Sequence, residues 1–310
     1  MPSTEAKAAI GSAPERQVIL ADRPVHSFWR GEPARWHVEP GQPIEVRCPD
    51  GVLGQIRMES DVLARVDPKK VNPVTGPIWI EGAEPGDTVV FVIEKMDIPQ
   101  DWGYVLLVPG FGLLAERVAK PVTKIVPIKD GRVVFNGLSL PLRPCIGTIG
   151  VSPRRRRLAT LIPHDHGGNL DTTDITTGSK VYLPVHVRGA GLALGDPKAV
   201  MGDGEVCGTG VGVPINVFAH IQLLKAKAWP RPIVETRSEW QAVASAETLE
   251  EACALATLDF INILRAVTRL SWNEAYMFLS LAGNLRISQV VDPLMTVRMC
   301  VTKEQLPSIG

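Results

Sequence analysis

Two short stretches carry most of the reactive side chains of this sequence. The first is Pro163-His-Asp-His-Gly-Gly-Asn-Leu-Asp171. His164 and His166 stand two residues apart, with Asn169 and Asp171 close behind. In a loop, a His-x-His pair can turn both imidazoles toward one ion, and a nearby carboxylate can complete a site with an open position for water. Gly167 and Gly168 let the backbone turn so that these side chains converge. The second stretch, GDPKAVMGDGEVCGTGVG over 195–212, sets Asp196, Asp203 and Glu205 among six glycines. Glycine weakens strands, so its density around acids points to close approach of backbone and ligand. One carboxylate in such a place can stay ionised and bind a cation, while another, partly desolvated, serves as general base. Lys198 in the same run can anchor an oxyanion or an anionic substrate. A third stretch, Asn72-Pro-Val-Thr-Gly-Pro77, offers Asn72 and Thr75 in a proline-braced turn that can orient a small polar ligand. Each of the three also has a plain reading as a polar or Asx-type turn. Cys207 follows Glu205 by two, and its small neighbours favour packing over nucleophilic work.

These loops need a scaffold, and the pattern predicts one rich in strands. PIEVRC (43–48), TVVFVIEKM (88–96), KVYLPVHV (180–187) and VFAHIQLLKA (217–226) are β-branched runs bounded by turns. Glu-Pro-Gly precedes a strand at 39–46 and again at 84–91, a weak internal echo. The C-terminal part changes character. Thr248-Leu-Glu-Glu251 and Ser271-Trp-Asn-Glu274 are capping boxes, each opening a helix, and LRISQVVD (285–292) and TVRMCV (296–301) predict strands. The expectation is an α+β protein: a flexible tail over 1–17, a β-rich barrel or sandwich-like body over 18–235 carrying the site loops, and an α/β segment over 236–310 packed on it.

Composition removes several function classes. Lys plus Arg and Asp plus Glu both number 33, so the chain lacks the basic excess of nucleic-acid proteins. The run Arg154–Arg157 is then better read as a solvated loop or subunit contact than as an RNA patch. Pro109 and Gly110 split even the most apolar run, so no membrane span is expected. Five widely spaced cysteines without a CxxC fit a reducing cytoplasm.

Taken together, the motifs resemble the acetamidase/formamidase family. The resemblance runs from His26 to about Lys303 and includes NPVTGPIWIEGAEPGD (72–87), VPGFGLL (108–114), HGGNLD (166–171), YLPV (182–185), MGDGEVCGTGV (201–211) and SLAGNLRISQVVDP (280–293). It implies hydrolysis of a small amide, formamide- or acetamide-like, to carboxylate and ammonia. It also implies a cytoplasmic homo-oligomer and a divalent metal, zinc in the first instance, that activates water. Carried onto this chain, His164, His166, Asp171 and Asp196 are the expected metal ligands. Glu205, Lys198 and Asn169 are the expected catalytic residues, and Asn72, Thr75 and Gly168 the expected substrate contacts. Two departures stand out. Lys198 occupies a position where the family pattern has His, and Gly212 one where it has Glu. Both changes weaken or remove a metal site, since neither Lys⁺ nor Gly is a ligand. The alternatives are a metal-independent hydrolase using Lys198 and Glu205, and a non-catalytic member with a degenerate site.

Overall fold

The alternation in Thr88–Asp97 shows how the layers form. Val89, Phe91 and Ile93 join one core while Val90 joins another, because successive side chains leave a strand on opposite faces. In the computed structural model, which describes residues 16–306 and 309, this strand lies near the middle of a nine-stranded sheet. Its order is Gln17–Ile19, Ile44–Cys48, Ile215–Leu224, Thr88–Asp97, Lys180–Pro184, Ile233–Glu235, Glu239–Ala246, Met295–Thr302 and Asn284–Gln289. A five-stranded sheet packs on one face. It runs Gly167–Asn169, Cys145–Gly150, Ala190–Lys198, Val74–Ile80 and Trp36–Val38. Ile44, Val46 and Phe91 of the large sheet interleave with Ile78, Ile149 and Leu194 of the small one, and all six are fully buried. A four-stranded meander from Trp102–Leu107 to Leu138–Pro141 flanks this sandwich. No sheet closes on itself among the described residues, so the architecture is a layered sandwich and not a barrel.

The opposite face of the large sheet carries two helices, α1 (Leu249–Val267) and α2 (Trp272–Ala282). The α1 start is half a capping box: Thr248 Oγ1 accepts from the Glu251 N–H, without the return bond. The α2 start is a complete one, with Ser271 and Glu274 each accepting the other's backbone N–H. Phe260, Ile263 and Leu264 of α1 bury against Trp240, Val297 and Val301 of the sheet. Truncating a side chain like Phe260 to Ala costs about 3–5 kcal/mol. Three of the nine strands come from beyond residue 236, and Ile233–Glu235 pairs with Glu239–Ala246, so one sheet runs across the boundary expected at 235/236. The predicted tail lies, up to residue 15, outside the described residues. No helix among them is long and apolar enough to cross a membrane. Cys48, Cys145, Cys207, Cys253 and Cys300 are all free thiols.

Candidate active site

The register of the small sheet sets the site. Thr148 on Cys145–Gly150 faces Asn169 on one side and Gly195 on the other. The chain segments that follow Asn169 and Gly195 therefore meet over the same strand. Asp171 arrives just after one, Asp196 and Lys198 just after the other. The backbone is bent sharply at each of these corners. Asn72, Asp171, Asp196 and Glu205 are non-glycine residues with φ between +42° and +50°. Such conformations cost on the order of 1–3 kcal/mol, somewhat less for Asn and Asp, and gather where function over-determines the geometry.

Lys198 is the centre. It is 4 % exposed, and its ammonium bonds Asp171 Oδ1 and, at 2.5 Å, Asp196 Oδ2. Glu205 Oε1 lies 3.4 Å away, too far for a good hydrogen bond but close enough for strong attraction. Glu205 Oε1 also accepts from the Gly210 N–H at 2.9 Å. Gly147 makes the arrangement possible: a Cβ there would run into Lys198 Nζ and Asp171 Oδ1. Burial works against the Lys198 charge, but Asp171, Asp196 and Glu205 outweigh it and hold the ammonium well above the ordinary lysine range. Burial, then repulsion from Asp171, pushes the Glu205 carboxyl up to about 8. Burial also raises Asp196, although Lys198 pulls it down.

A second network stands beside the first. Asn169 Oδ1 accepts from Thr148 Oγ1 and from Asn72 Nδ2, while Asn169 Nδ2 donates to Asp292 Oδ2 at 2.8 Å. Asn72 Nδ2 also donates to the Thr160 carbonyl. Burial, with Asp171 and Glu205 nearby, raises Asp292 well above the ordinary carboxylate range. Asp292 is a site residue that was assigned no role from sequence. It stood in the motif over 280–293, and its distance along the chain from the other acids hid it.

Both networks form one end of a cavity of about 100 Å³. A water needs about 10–15 Å³ by the same measure, so the space suits a molecule of a few heavy atoms. Asn72, Asn169, Asp196, Lys198, Glu205 and Asp292 supply its polar wall, and Val52, Leu63, Leu106, Phe111 and Leu161 close the apolar side. The other expected site residues lie outside this wall. The Thr75 hydroxyl is spent on the Arg47 carbonyl at 2.7 Å. Gly168 sits in the sheet, where the Ile162 carbonyl occupies the space a side chain would need. His166 is buried edge-on against Phe28, with a ring separation of 4.9 Å, and both its nitrogens lack partners. Burial, with His164 and His186 near, pushes it down to about 3. His164 is half exposed and its Nδ1 accepts from the Asp165 N–H. The two imidazoles face each other at 6.5 Å and take no part in the carboxylate cluster. Cys145, paired in register with Lys198, is pushed up to about 12 by burial and is no nucleophile.

The donor set does not fit a divalent ion. The point shared by Asp171, Asp196 and Glu205 is filled by the Lys198 ammonium. Among the described residues, the one fully buried carboxylate oxygen there without a partner is Asp171 Oδ2, where a catalytic metal asks for three ligands. Among the described residues no group of three or more His, Cys, Asp or Glu is disposed to hold a metal. Position 212 has no room for a carboxylate either, since a Cβ would lie 2.6 Å from the Tyr104 ring.

Known proteins resemble the chain throughout. The sequence profile of the Acetamidase/Formamidase family matches residues 13–161 and 155–304. A formamidase of Methylophilus methylotrophus is 29% identical over 250 residues, covering 60% of this chain and 61% of the relative. An acetamidase of Mycolicibacterium smegmatis is 27% identical over 271 residues, 65% of this chain and 66% of the relative. The chain thus spans about six tenths of the length of the curated relatives it matches. The crystal structure of an acetamidase from Bacillus halodurans superposes with a TM-score of 0.91 at 37% identity, over 95% of this chain and all of that one. A predicted acetamidase/formamidase from Thermoanaerobacter tengcongensis gives 0.92 at 38% identity, over 94% and 97%. With its profile matched along nearly its whole length, and solved relatives above 30% identity covering it end to end, the chain belongs to the acetamidase/formamidase family.

Proposed function

We propose that the protein hydrolyses a small linear amide to a carboxylate and ammonia, using Lys198 and Glu205 with no divalent metal. The observation that carries this reading is a buried ammonium, held by three carboxylates, at the polar end of a small and otherwise apolar cavity. Its two short bonds commit two N–H groups of Lys198 to Asp171 and Asp196. The longer contact with Glu205 leaves the third free to turn to a substrate carbonyl, where it stabilises the negative charge that develops on oxygen. Glu205, with a pKa near the working pH, suits both halves of a proton shuttle. As carboxylate it takes a proton from the attacking water. As acid it gives that proton to the departing nitrogen as the C–N bond breaks. Asp171 and Asp196 hold Lys198 charged and aimed, and Asn169, braced by Asn72 and Asp292, forms the adjoining wall that orients the amide. The match to formamidases and acetamidases, and the cavity's size, support short amides over long ones. Free thiols fit a reducing cytoplasm.

The test is ammonia release from a series of amides of rising length, for the wild type and Glu205→Gln. Gln keeps the volume and can hydrogen-bond but cannot accept a proton. Rates that fall with chain length, and a loss of about 10²–10⁴-fold in the variant, support the reading. A Glu205→Gln enzyme with more than half the parent rate overturns it.

A further inference from the structure

The strand Met295–Thr302 carries a charge where charge is costly. Val297, Met299 and Val301 enter the core beneath the helices. Arg298 stands between them and leaves the strand on the other face. It is 1% exposed. A guanidinium taken out of water needs partners for its donors, and Arg298 finds them on three separate chain segments. Nη2 donates to both carboxylate oxygens of Asp203, at 2.8 and 2.7 Å. Nη1 donates to the Ile287 carbonyl at 2.9 Å and to Ser288 Oγ at 3.1 Å. Nε lies 3.3 Å from Asp174 Oδ2. Each segment delivers one acid of the site. Asp203 precedes Glu205, Asp174 follows Asp171, and Ser288 leads into the turn that carries Asp292. The segments are also tied to one another around the guanidinium. Thr173 Oγ1 donates to Asp203 Oδ1 at 2.8 Å, Thr172 Oγ1 donates to Ser288 Oγ at 2.9 Å, and the Gly204 N–H donates to the Ser288 carbonyl at 2.8 Å.

We infer that Arg298 and Asp203 form a positioning clamp which holds Glu205 against Lys198, given the proton shuttle proposed for Glu205. The Glu205 loop needs such a clamp. Over 202–208 it lies outside the strands and helices, with one isolated bridge at Gly204. Gly204 and Glu205 have φ of +96° and +44°, a left-handed corner that a residue such as Glu keeps only when its surroundings impose it. Val206, the next residue, is 57% exposed, so packing does not hold the corner from the outer side. Asp203 anchors it from the inner side instead. Arginine suits the task because its guanidinium is planar, stays charged at any working pH, and aims its donors in fixed directions. A buried ion pair is weak evidence of stability, since apolar side chains can fill the same space as well or better. What the charge adds here is a single arrangement of three loops, and with it a fixed place for the Glu205 carboxylate.

The experiment is steady-state ammonia release from formamide and acetamide by the full chain. It compares the wild type with Asp203→Ala, Asp203→Asn, Arg298→Lys, Glu205→Gln and the double variant Asp203→Ala/Glu205→Gln. The Asp203 side chain is 43% exposed, so Asp203→Ala should keep the far-UV circular dichroism of the parent. Misplacing a reacting group by about 1 Å can cost about 100-fold, so kcat of Asp203→Ala should fall by about that factor. Its KM should stay within about twofold, because Lys198 and Asn169 still hold the amide. Asp203→Asn keeps an acceptor for Arg298 and should regain about tenfold of the loss, the scale of one retained hydrogen bond. Arg298→Lys keeps the charge but cannot serve Asp203 and Ser288 together, so its kcat should fall by at least about tenfold. If Arg298→Lys does not fold, the two Asp203 variants decide alone. In the Glu205→Gln background Asp203→Ala should change kcat by less than about twofold, since a residue acting through Glu205 has nothing left to position. An equal loss in both backgrounds would make the clamp purely structural and overturn the inference. So would Asp203→Ala with more than half the parent kcat while Glu205→Gln is inactive, a result that leaves the proton shuttle standing. Glu205→Gln with more than half the parent rate would remove the shuttle, and the clamp with it.

Discussion

Replacing Lys198 by Met tests the centre of the site through stability and activity together. Met roughly fills the volume of the lysine stem and removes only the charge. Among the described residues the ammonium is the one cation paired with Asp171 and Asp196, and Glu205 lies 3.4 Å away. Asp171 is fully buried and Glu205 nearly so. Breaking a buried ion pair by removing one member costs about 3–5 kcal/mol, because the remaining charge has no compensation. The carboxylates can escape part of this by binding protons. Their folded-state pKa values would then rise above the unfolded ones, and a group so raised stabilises at low pH and loses that contribution as pH climbs through its folded pKa. The loss in the variant should therefore be largest near pH 8–9 and shrink toward pH 5. Urea denaturation followed by circular dichroism at pH 5, 7 and 8.5 measures it, and ammonia release measures activity alongside. We expect about 3–5 kcal/mol at pH 8.5 and activity below about one hundredth of the parent. A variant destabilised by less than about 1 kcal/mol at pH 8.5, the scale of an exposed ion pair, would refute the description of Lys198 as the counterion of a buried cluster.

Other outcomes follow from the same geometry. For the wild type, kcat/KM should rise with pH through about 8 as Glu205 ionises, and Glu205→Gln should lack that limb in a pH–rate profile. Because the Glu205 pKa is raised on folding, its contribution to stability fades from about pH 4.5 to 8. The stability of Glu205→Gln relative to the wild type should accordingly improve over that window, by up to about 1.4 kcal/mol per pH unit in denaturant titrations. Gly147→Ala should remove most activity and lower the melting temperature, since its methyl group would displace the Lys198–Asp171 contact. Dialysis against a chelator should leave at least half the activity; loss restored by added zinc would show that a metal is needed after all.

Much of this arrangement is legible in the amino-acid sequence. Both helix starts carry their capping residues in the sequence, and the β-branched runs paired as strands because their alternation matches two buried faces. The carboxylates also announced themselves, as acids among glycines. The partner they chose was harder to read. Lys198 meets Asp171 across 27 residues because two strands flank the same neighbour in a particular register, and register is a property of the sheet. The proximity of His164 and His166 to Asp171 along the chain misled for the same reason. Between them lies Gly167–Asn169, paired to Ile149 and its neighbours, which leaves His166 against Phe28 and sends Asp171 under Gly147. Asp292 was hidden by distance, since only the closing turn after Asn284–Gln289 carries it back to Asn169.

The central claim is that a buried Lys198–Glu205 pair cleaves small amides. Ammonia release from formamide, acetamide and propionamide, measured on chelator-treated wild type and on Lys198→Met and Glu205→Gln, tests it most directly. The account predicts release by the wild type, greatest for the shorter amides, and loss of at least about 100-fold in either variant. Release that persists in both variants, or that the chelator-treated wild type cannot perform without added metal, would contradict it.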